Sequence, residues 1–394
     1  MPEICFQSES MQTQQNKMLQ FSLLLLATLG VMSGITIVAS LPNISKEFTE
    51  IPDIEFLSKL MLTIPSIIIA LFAPFAGWVV DRYGRLKPLY TGFFLFIVGG
   101  SSGLYLENFY AILAGRAVLG VAVALLMTSS TALIADYFDE EQRHRFMSLQ
   151  GMTIGLGGIV FITLGGFLAQ LHWSYPFAIY LIPLLFLPIL YRNLYEPKAS
   201  SHPVKEGEVP EALWPVYLTA FFSMVIFYMM PTQLPFLIIN ELGGEPLSVG
   251  LVISTAMLFN AFTSRQYAKV KKRFSFLHIY MFTFIFFGIG LFIISKASSI
   301  GDIYFSTLFI GMGFGLILVN TNAWFLSKVH ASKRGRASGI LASSFFLGQF
   351  ASPLLFKPVV DGYGIRGLFF FISIVSLMIV LVIFAKLLWS RKKI

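Results

Sequence analysis

Two groups of residues in this chain could carry chemistry, and both are charges set in a very apolar background. Residues 77–90 read Gly-Trp-Val-Val-Asp-Arg-Tyr-Gly-Arg-Leu-Lys-Pro-Leu-Tyr. Asp81 stands there among Arg82, Arg85 and Lys87, where a lone carboxylate needs a partner, so an ion pair that forms and breaks is the chemistry on offer. Gly77 and Gly84 suit close helix approach and a tight bend. The second group centres on Arg116, in Ala-Gly-Arg-Ala-Val-Leu-Gly-Val-Ala, well inside an apolar run. An arginine at that depth is costly and is expected to face the bundle interior or a wet cavity. Gly120 and Ala124 follow at spacings of four, so one helix face carries the charge and then a smooth groove. Such an arginine could hold an anionic group or control a proton, or it could bond helix carbonyls and pin its neighbours. No nucleophile–base set, metal-ligand cluster or phosphate-binding glycine loop accompanies these charges. His144, His172, His202, His278 and His330 are scattered near expected membrane edges or in loops. Enzyme function, a cofactor and a metal site are therefore not expected.

The elements that position these charges follow from composition. Hydrophobic residues make up 56% of the 394, charged residues only 12%, and mean hydropathy is +0.77. That balance is far from a soluble domain's. A formal charge of +8 raises the question of nucleic acid, but the basic residues recur in short loops between apolar runs. Nucleic acid is excluded as a partner, and membrane topology explains the charge. The apolar runs number about twelve, each long enough to cross a bilayer core as a helix. The expected fold is thus an all-α membrane protein of twelve transmembrane helices in two six-helix bundles. The leader, 1–18, is polar and holds the single cysteine, Cys5, so no internal disulfide can form. No small-residue cleavage pattern follows it, which reads as an uncleaved first helix. An even number of spans starting inside puts both termini in the cytoplasm. The positive-inside rule agrees, because most of the 28 basic residues fall in the segments this topology makes cytoplasmic, while the outer ones hold few, such as Lys46 and Arg366. Residues 194–212, rich in Pro, Ser, Glu and Lys, read as a cytoplasmic linker between bundles at 19–193 and 213–389, with a basic tail at 390–394. An offset of about 191 residues superposes the halves, placing Arg82-Tyr83-Gly84 on Arg273-Phe274-Ser275 and Arg143 on Arg334, as a parallel repeat would.

The hairpin of 77–90, with Gly, then Asp-Arg four residues on, then Gly-Arg, resembles the loop between helices two and three of the major facilitator superfamily. The resemblance extends to Arg116 with Gly120, which is similar to the family's fourth-helix motif. It includes residues 335–353, from Gly-Arg-Ala-Ser-Gly to Gly-Gln-Phe-Ala-Ser-Pro. It reaches 151–166, where Gly165-Gly166 resembles the end of the fifth-helix signature of the exporters. Two departures stand out. Phe161-Ile162 replaces the Gly-Pro pair of that signature, and no Asp or Glu lies in the middle of any expected span; Glu55, Glu107, Asp136 and Asp302 are edge residues.

The resemblance implies a secondary transporter that moves a small organic molecule by alternating access, in the branch of proton-coupled drug exporters. It implies a multi-pass protein of the cell membrane, working as a monomer in the lipid bilayer. An importer or symporter of the same fold is the alternative that the missing Gly-Pro pair favours; a membrane enzyme or non-transporting sensor is a third reading. The fold implies that helices one, four, seven and ten face the pathway. That places Thr28, Met32 and Thr36 on one lining, Tyr217, Phe221, Met224 and Tyr228 on a second, and Asn320 and Trp324 on a third, with Gln233 and Asn322 as polar handles and Arg116 as the buried charge. Such a lining, aromatic and rich in methionine, suits an amphiphile. At the cytoplasmic face, family members imply a latch of Asp81, Arg85 and Asp136, closed by the start of the eleventh helix near Ala337–Gly339. Gly77, Arg82 and Gly84 complete the expected gate.

Overall fold

The computed structural model describes residues 2–197, 213–329 and 334–391. The expected linker lies mostly outside the described residues, as does the end of the tail. Among the described residues there is no strand. The chain runs α1 (Pro2–Ile35), α2 (Leu41–Glu47), α3 (Ile54–Tyr83), α4 (Leu86–Gly100), α5 (Phe109–Tyr137), α6 (Glu140–Leu171), a 3₁₀ helix Tyr175–Phe186 leading into α7 (Leu187–Asn193), α8 (Trp214–Phe236), α9 (Pro246–Arg273), α10 (Phe276–Lys296), α11 (Ile300–Lys328) and α12 (Arg334–Arg391).

Helix starts are marked by polar caps, which satisfy amide groups that have no partner within the helix. The Asn108 side chain accepts from the amides of Tyr110 and Ala111 ahead of α5, Asp139 accepts from Gln142 ahead of α6, and Ser275 accepts from His278 ahead of α10. Ser299 and Asp302 form a reciprocal capping box on α11. Asp302 is therefore a helix cap at the surface. Prolines bend the helices from within. Pro231 and Pro235 lie inside α8, which passes into a π turn at Leu237–Glu241, and Pro65 and Pro74 lie inside α3.

Among the described residues, ten stretches are long and apolar enough to cross a membrane. One of them, Ala337–Leu388, has 52 residues, or about 78 Å as a helix, more than twice the hydrocarbon thickness. It is broken at Gly364, whose φ of 72° and ψ of 176° are not helical. The segment Leu86–Gly100, at 15 residues, falls below a full span and is extended by the 3₁₀ turn Ser101–Leu104. Dividing the chain at Gly364 and including this short span are what a twelve-pass protein requires. Large apolar side chains such as Leu71, Phe94, Leu185 and Val382 point outward, as surfaces in contact with lipid do.

Helices α1 to α7 pack mainly with one another, through α3 on α5, α4 on α5 and α1 on α6. Helices α8 to α12 do the same, through α9 on α11, α10 on α11 and α12, and α8 on α12. The two halves meet where α6 lies on α9 and α3 lies on α12. One end of the bundle carries Gly84, Phe138, Leu194 and Phe274 with their basic neighbours, and is called the basic end below. The far end carries Asp53, Asn108, His172, Glu245 and Ser299.

Candidate substrate pathway and gates

The hydrogen bonds and ion pairs that join the halves gather toward the far end. Gln170 donates to Glu245, and the hydroxyls of Thr163 and Ser254 lie 2.8 Å apart. The Lys59 ammonium donates to the Gln233 carbonyl oxygen at 2.9 Å, the Ser66 hydroxyl to that of Gln349 at 2.8 Å, and Lys357 reaches Asp53 at 3.4 Å. Glycine makes this approach possible. A Cβ on Gly166 would stand 2.8 Å from the Pro246 carbonyl oxygen, and one on Gly250 would stand 2.7 Å from that of Ile162. Toward the basic end, among the described residues, no hydrogen bond or ion pair joins the halves. No atom lies within 4 Å of where a Cβ would sit on Gly77, Gly151, Gly155 or Gly339. Gly77 therefore does not bring helices together as the hairpin pattern leads one to expect.

Behind the closed end lies a belt of polar groups. Arg116 is fully buried, with 0% exposure. Its Nε donates to the Met61 carbonyl at 3.1 Å, one terminal nitrogen to the Tyr180 hydroxyl at 2.8 Å and the other to the Ser33 carbonyl at 2.8 Å. The Tyr180 hydroxyl in turn faces the carbonyls of Met32 and Ser33. Arg116 thus pins α1, α3, α5 and the 3₁₀ helix together through neutral acceptors, and in this state it does not line an open cavity. Gly120 lets α5 lie against α3, where a Cβ would stand 2.8 Å from the Pro65 carbonyl oxygen.

The other expected lining residues separate into two sets. Thr28, Met32, Thr36, Met224, Tyr228 and Gln233 are buried, Thr28 beside Gly157 of α6, Met224 beside Gly348 of α12 and Gln233 against Lys59 of α3. The Thr36 hydroxyl bonds the Met32 carbonyl and that of Thr28 bonds the Leu25 carbonyl. A Cβ on Gly34 would stand 2.9 Å from the Tyr228 hydroxyl. Tyr217 ties α8 to α12 by donating to the Ala337 carbonyl at 3.3 Å. Asn320 and Trp324 lie on α11, Trp324 against the cluster of Val216 and Ala220 on α8. The Asn320 side chain accepts from the Tyr267 hydroxyl and donates to the Phe276 carbonyl, joining α9, α10 and α11 away from the first set. Its amide oxygen and nitrogen thus each have a partner within this half. Trp324 meets Tyr280 edge to face at 6.0 Å.

At the basic end the hairpin is tied to its own half. Arg85 pairs with Asp136 at 2.8 Å. The Glu196 carboxylate accepts from the backbone amides of Arg85 and Leu86 at 2.6 and 2.8 Å. It caps α4 with a charge of the sign a helix start favours. Gly84 has φ of 85°, and a Cβ there would run into that carboxylate, so both backbone and space call for glycine. Arg82 lies over Trp78 and Tyr83 at 5.2 and 5.7 Å. Asp81 is exposed and takes part in none of these contacts, and Gly339 has open space beside it. The three-member latch is thus represented here by its Arg85–Asp136 pair alone.

The sequence profile of the Major Facilitator Superfamily matches residues 22–353 and 216–393. The chain belongs to that superfamily. It is a membrane transporter, not an enzyme. Among curated relatives, the quinolone resistance protein NorA of Staphylococcus aureus strain MSSA476 is 22% identical over 304 residues, covering 74% of this chain and 77% of the relative. Multidrug resistance protein 1 of Bacillus subtilis strain 168 is 23% identical over 300 residues, covering 74% and 76%. Among solved structures, a D-xylose-proton symporter superposes with a TM-score of 0.68 at 18% identity, covering 91% of this chain and 97% of that one, a likeness of fold.

Sequence reasoning passed over Lys59, Ser66, Gln349 and Glu196. Lys59 had a visible signal: a cation inside an apolar run, one helical turn after Glu55. Glu196 had none, because its amide partners lie 110 and 111 residues earlier.

Proposed function

We propose that this transporter exports a small amphiphilic organic molecule across the cell membrane in exchange for protons, with the basic end and both termini in the cytoplasm. The observation that carries the reading is the asymmetry of the inter-half contacts. They join the halves at the far end, and among the described residues none joins them at the basic end, which fits an alternating-access carrier open to the side from which an exporter loads. Two relatives named for drug resistance support the export direction. The buried Met32, Met224 and Tyr228 of α1 and α8 support an amphiphile. An importer of the same fold is the second reading, favoured by Phe161-Ile162, across which α6 runs unbroken from Glu140 to Leu171. Cells expressing the chain and loaded with a fluorescent amphiphile decide between them: faster loss of dye supports export, and faster accumulation supports import.

Substrate charge follows from the buried charges. Among the described residues these are Lys59 and Arg116, both basic. A cationic substrate close to either would meet repulsion of ~1–4 kcal/mol in a partly wet site. Neutral or anionic dyes are expected to be moved faster than a matched cation in proteoliposomes under a pH gradient. Preferential gradient-driven movement of the cation would remove the charge argument and leave the transporter assignment standing.

The latch reading places Asp81 in contact with the start of α12 only when the basic end closes. There the helix's positive end would hold the carboxylate together with Arg85 and Asp136. Asp81→Asn is then expected to slow transport and to shift the protein toward the state described here. Undiminished transport, with an unchanged distance between labels placed across the basic end, would count against it.

A further inference from the structure

A proton-exchanging carrier needs a titratable group whose surroundings differ between its two states. The carboxylates named from the sequence do not lie on a contact that joins the halves at the far end. Asp302 caps α11 at the surface, Asp136 is held by Arg85 at the basic end, and Glu55 is 47% exposed. Arg116 is buried, but a guanidinium does not lose its proton in a protein. Lys59 remains. It is 4% exposed, it lies inside the span Ile54–Tyr83, and it sits on a contact that must part when the far end opens. Its ammonium donates to Glu55 on its own helix and to Gln233 of α8, both at 2.9 Å. It also stands 4.5 Å above the Phe236 ring of α8.

We propose that Lys59 is the group through which this transporter couples a proton to the opening of its far end. The proposal deepens the proton-exchange reading above and rests on it. The charged ammonium makes an ion pair with one half and a charge-assisted hydrogen bond and a cation–π contact with the other. The neutral amine loses the ion pair and the cation–π contact and keeps at most a weak hydrogen bond. Proton uptake from water by the Lys59 amine therefore favours closure of the far end, and proton loss favours its opening.

The charged groups around Lys59 are few. Asp361 and Lys357 of α12 act on it electrostatically, with Lys357 itself paired to Asp361 and Asp53. From α5, Arg116 reaches the Met61 carbonyl two residues on. Lys46 and Glu47 of α2 are exposed. Among the described residues, α1 and α4 bring no charge to this end.

The test uses the full-length protein in lipid nanodiscs, with Cys5 replaced by serine and spin labels on cysteines introduced at Thr49 and Lys296, exposed positions on opposite halves of the far end. The inter-label distance is measured from about pH 5 to about pH 10. The wild-type background is expected to lengthen as pH rises. Lys59→Arg is expected to stay short throughout, because its charge is permanent, and Lys59→Met to be longer and independent of pH. The same variants are assayed in proteoliposomes for dye accumulation driven by a pH gradient and for dye exchange without one. Lys59→Met is expected to lose the first and keep the second. A distance that does not change with pH in the wild type overturns the proposal, as does either variant retaining the wild-type pH response. Should Lys59→Met fail to insert, Lys59→Arg alone decides. If no dye moves in any condition the export reading fails, while the distance measurement still rules on Lys59.

Discussion

Arg116→Ala is expected to abolish transport and to lower the thermal stability of the inserted protein. The guanidinium donates to the Met61 and Ser33 carbonyls and to the Tyr180 hydroxyl with no exposed surface. Hydrogen bonds to a charged group contribute about 1.5–3 kcal/mol each. Removing the side chain leaves the three acceptors with a cavity in their midst, at the junction of α1, α3, α5 and the Tyr175–Phe186 helix. Lys is not expected to restore the wild type, because an ammonium cannot span three acceptors set around a planar fork. Thermal melting of the purified protein separates the two roles the sequence left open. A lowered melting temperature together with lost transport fits the helix pin that the geometry shows. Lost transport at an unchanged melting temperature would put the residue's main role in handling substrate or proton. Wild-type values of both would leave Arg116 without a role in either.

Gly166→Val is expected to produce the other large effect, through shape instead of charge. A Cβ at this position would meet the Pro246 carbonyl oxygen at 2.8 Å and the Leu247 Cα at 3.2 Å. The neighbours are backbone, which cannot swing aside as a side chain can. Overpacking a tight contact typically costs about 1–3 kcal/mol. Because the clash exists only while α6 and α9 touch, the cost falls on the state closed at the far end. The variant is expected to be held open there and to stop cycling, seen as a longer Thr49–Lys296 label distance and as lost transport. Gly155→Val, on the same helix but with nothing within 4 Å of its Cβ position, is expected to leave that distance unchanged. Equal distances for Gly166→Val and the parent protein would show that the α6–α9 contact does not hold the far end shut.

The two glycines also show how far a sequence reading reaches. Both belong to one glycine-rich run and look alike in the chain, yet one is locked against α9 and the other is free. The charges behave in the same way. Arg116 announced itself by depth alone, since a cation in an apolar run must find partners, and its burial followed. Which carbonyls and which tyrosine it found depended on the rotation of α5 against α1 and α3. Asn320, expected on the tenth-helix lining, bonds Tyr267 and the Phe276 carbonyl, and Gly77 of the hairpin pattern has open space beside it; neither contact is legible in the chain.

What the sequence determined by itself was the solvent and the architecture. Hydropathy and loop charge are properties of consecutive residues, and transfer to lipid requires each span to satisfy its own backbone within a helix. The spans, the sharp hairpin at Gly84 and the family therefore needed no knowledge of contacts. The tertiary structure alone decided which end was closed and which groups closed it. Lys59 meets Gln233 across 174 residues, and Glu196 caps α4 from beyond α7. Such pairings depend on the register and rotation of whole helices against one another. Those are set by the summed packing of many side chains, and no local run of residues encodes them.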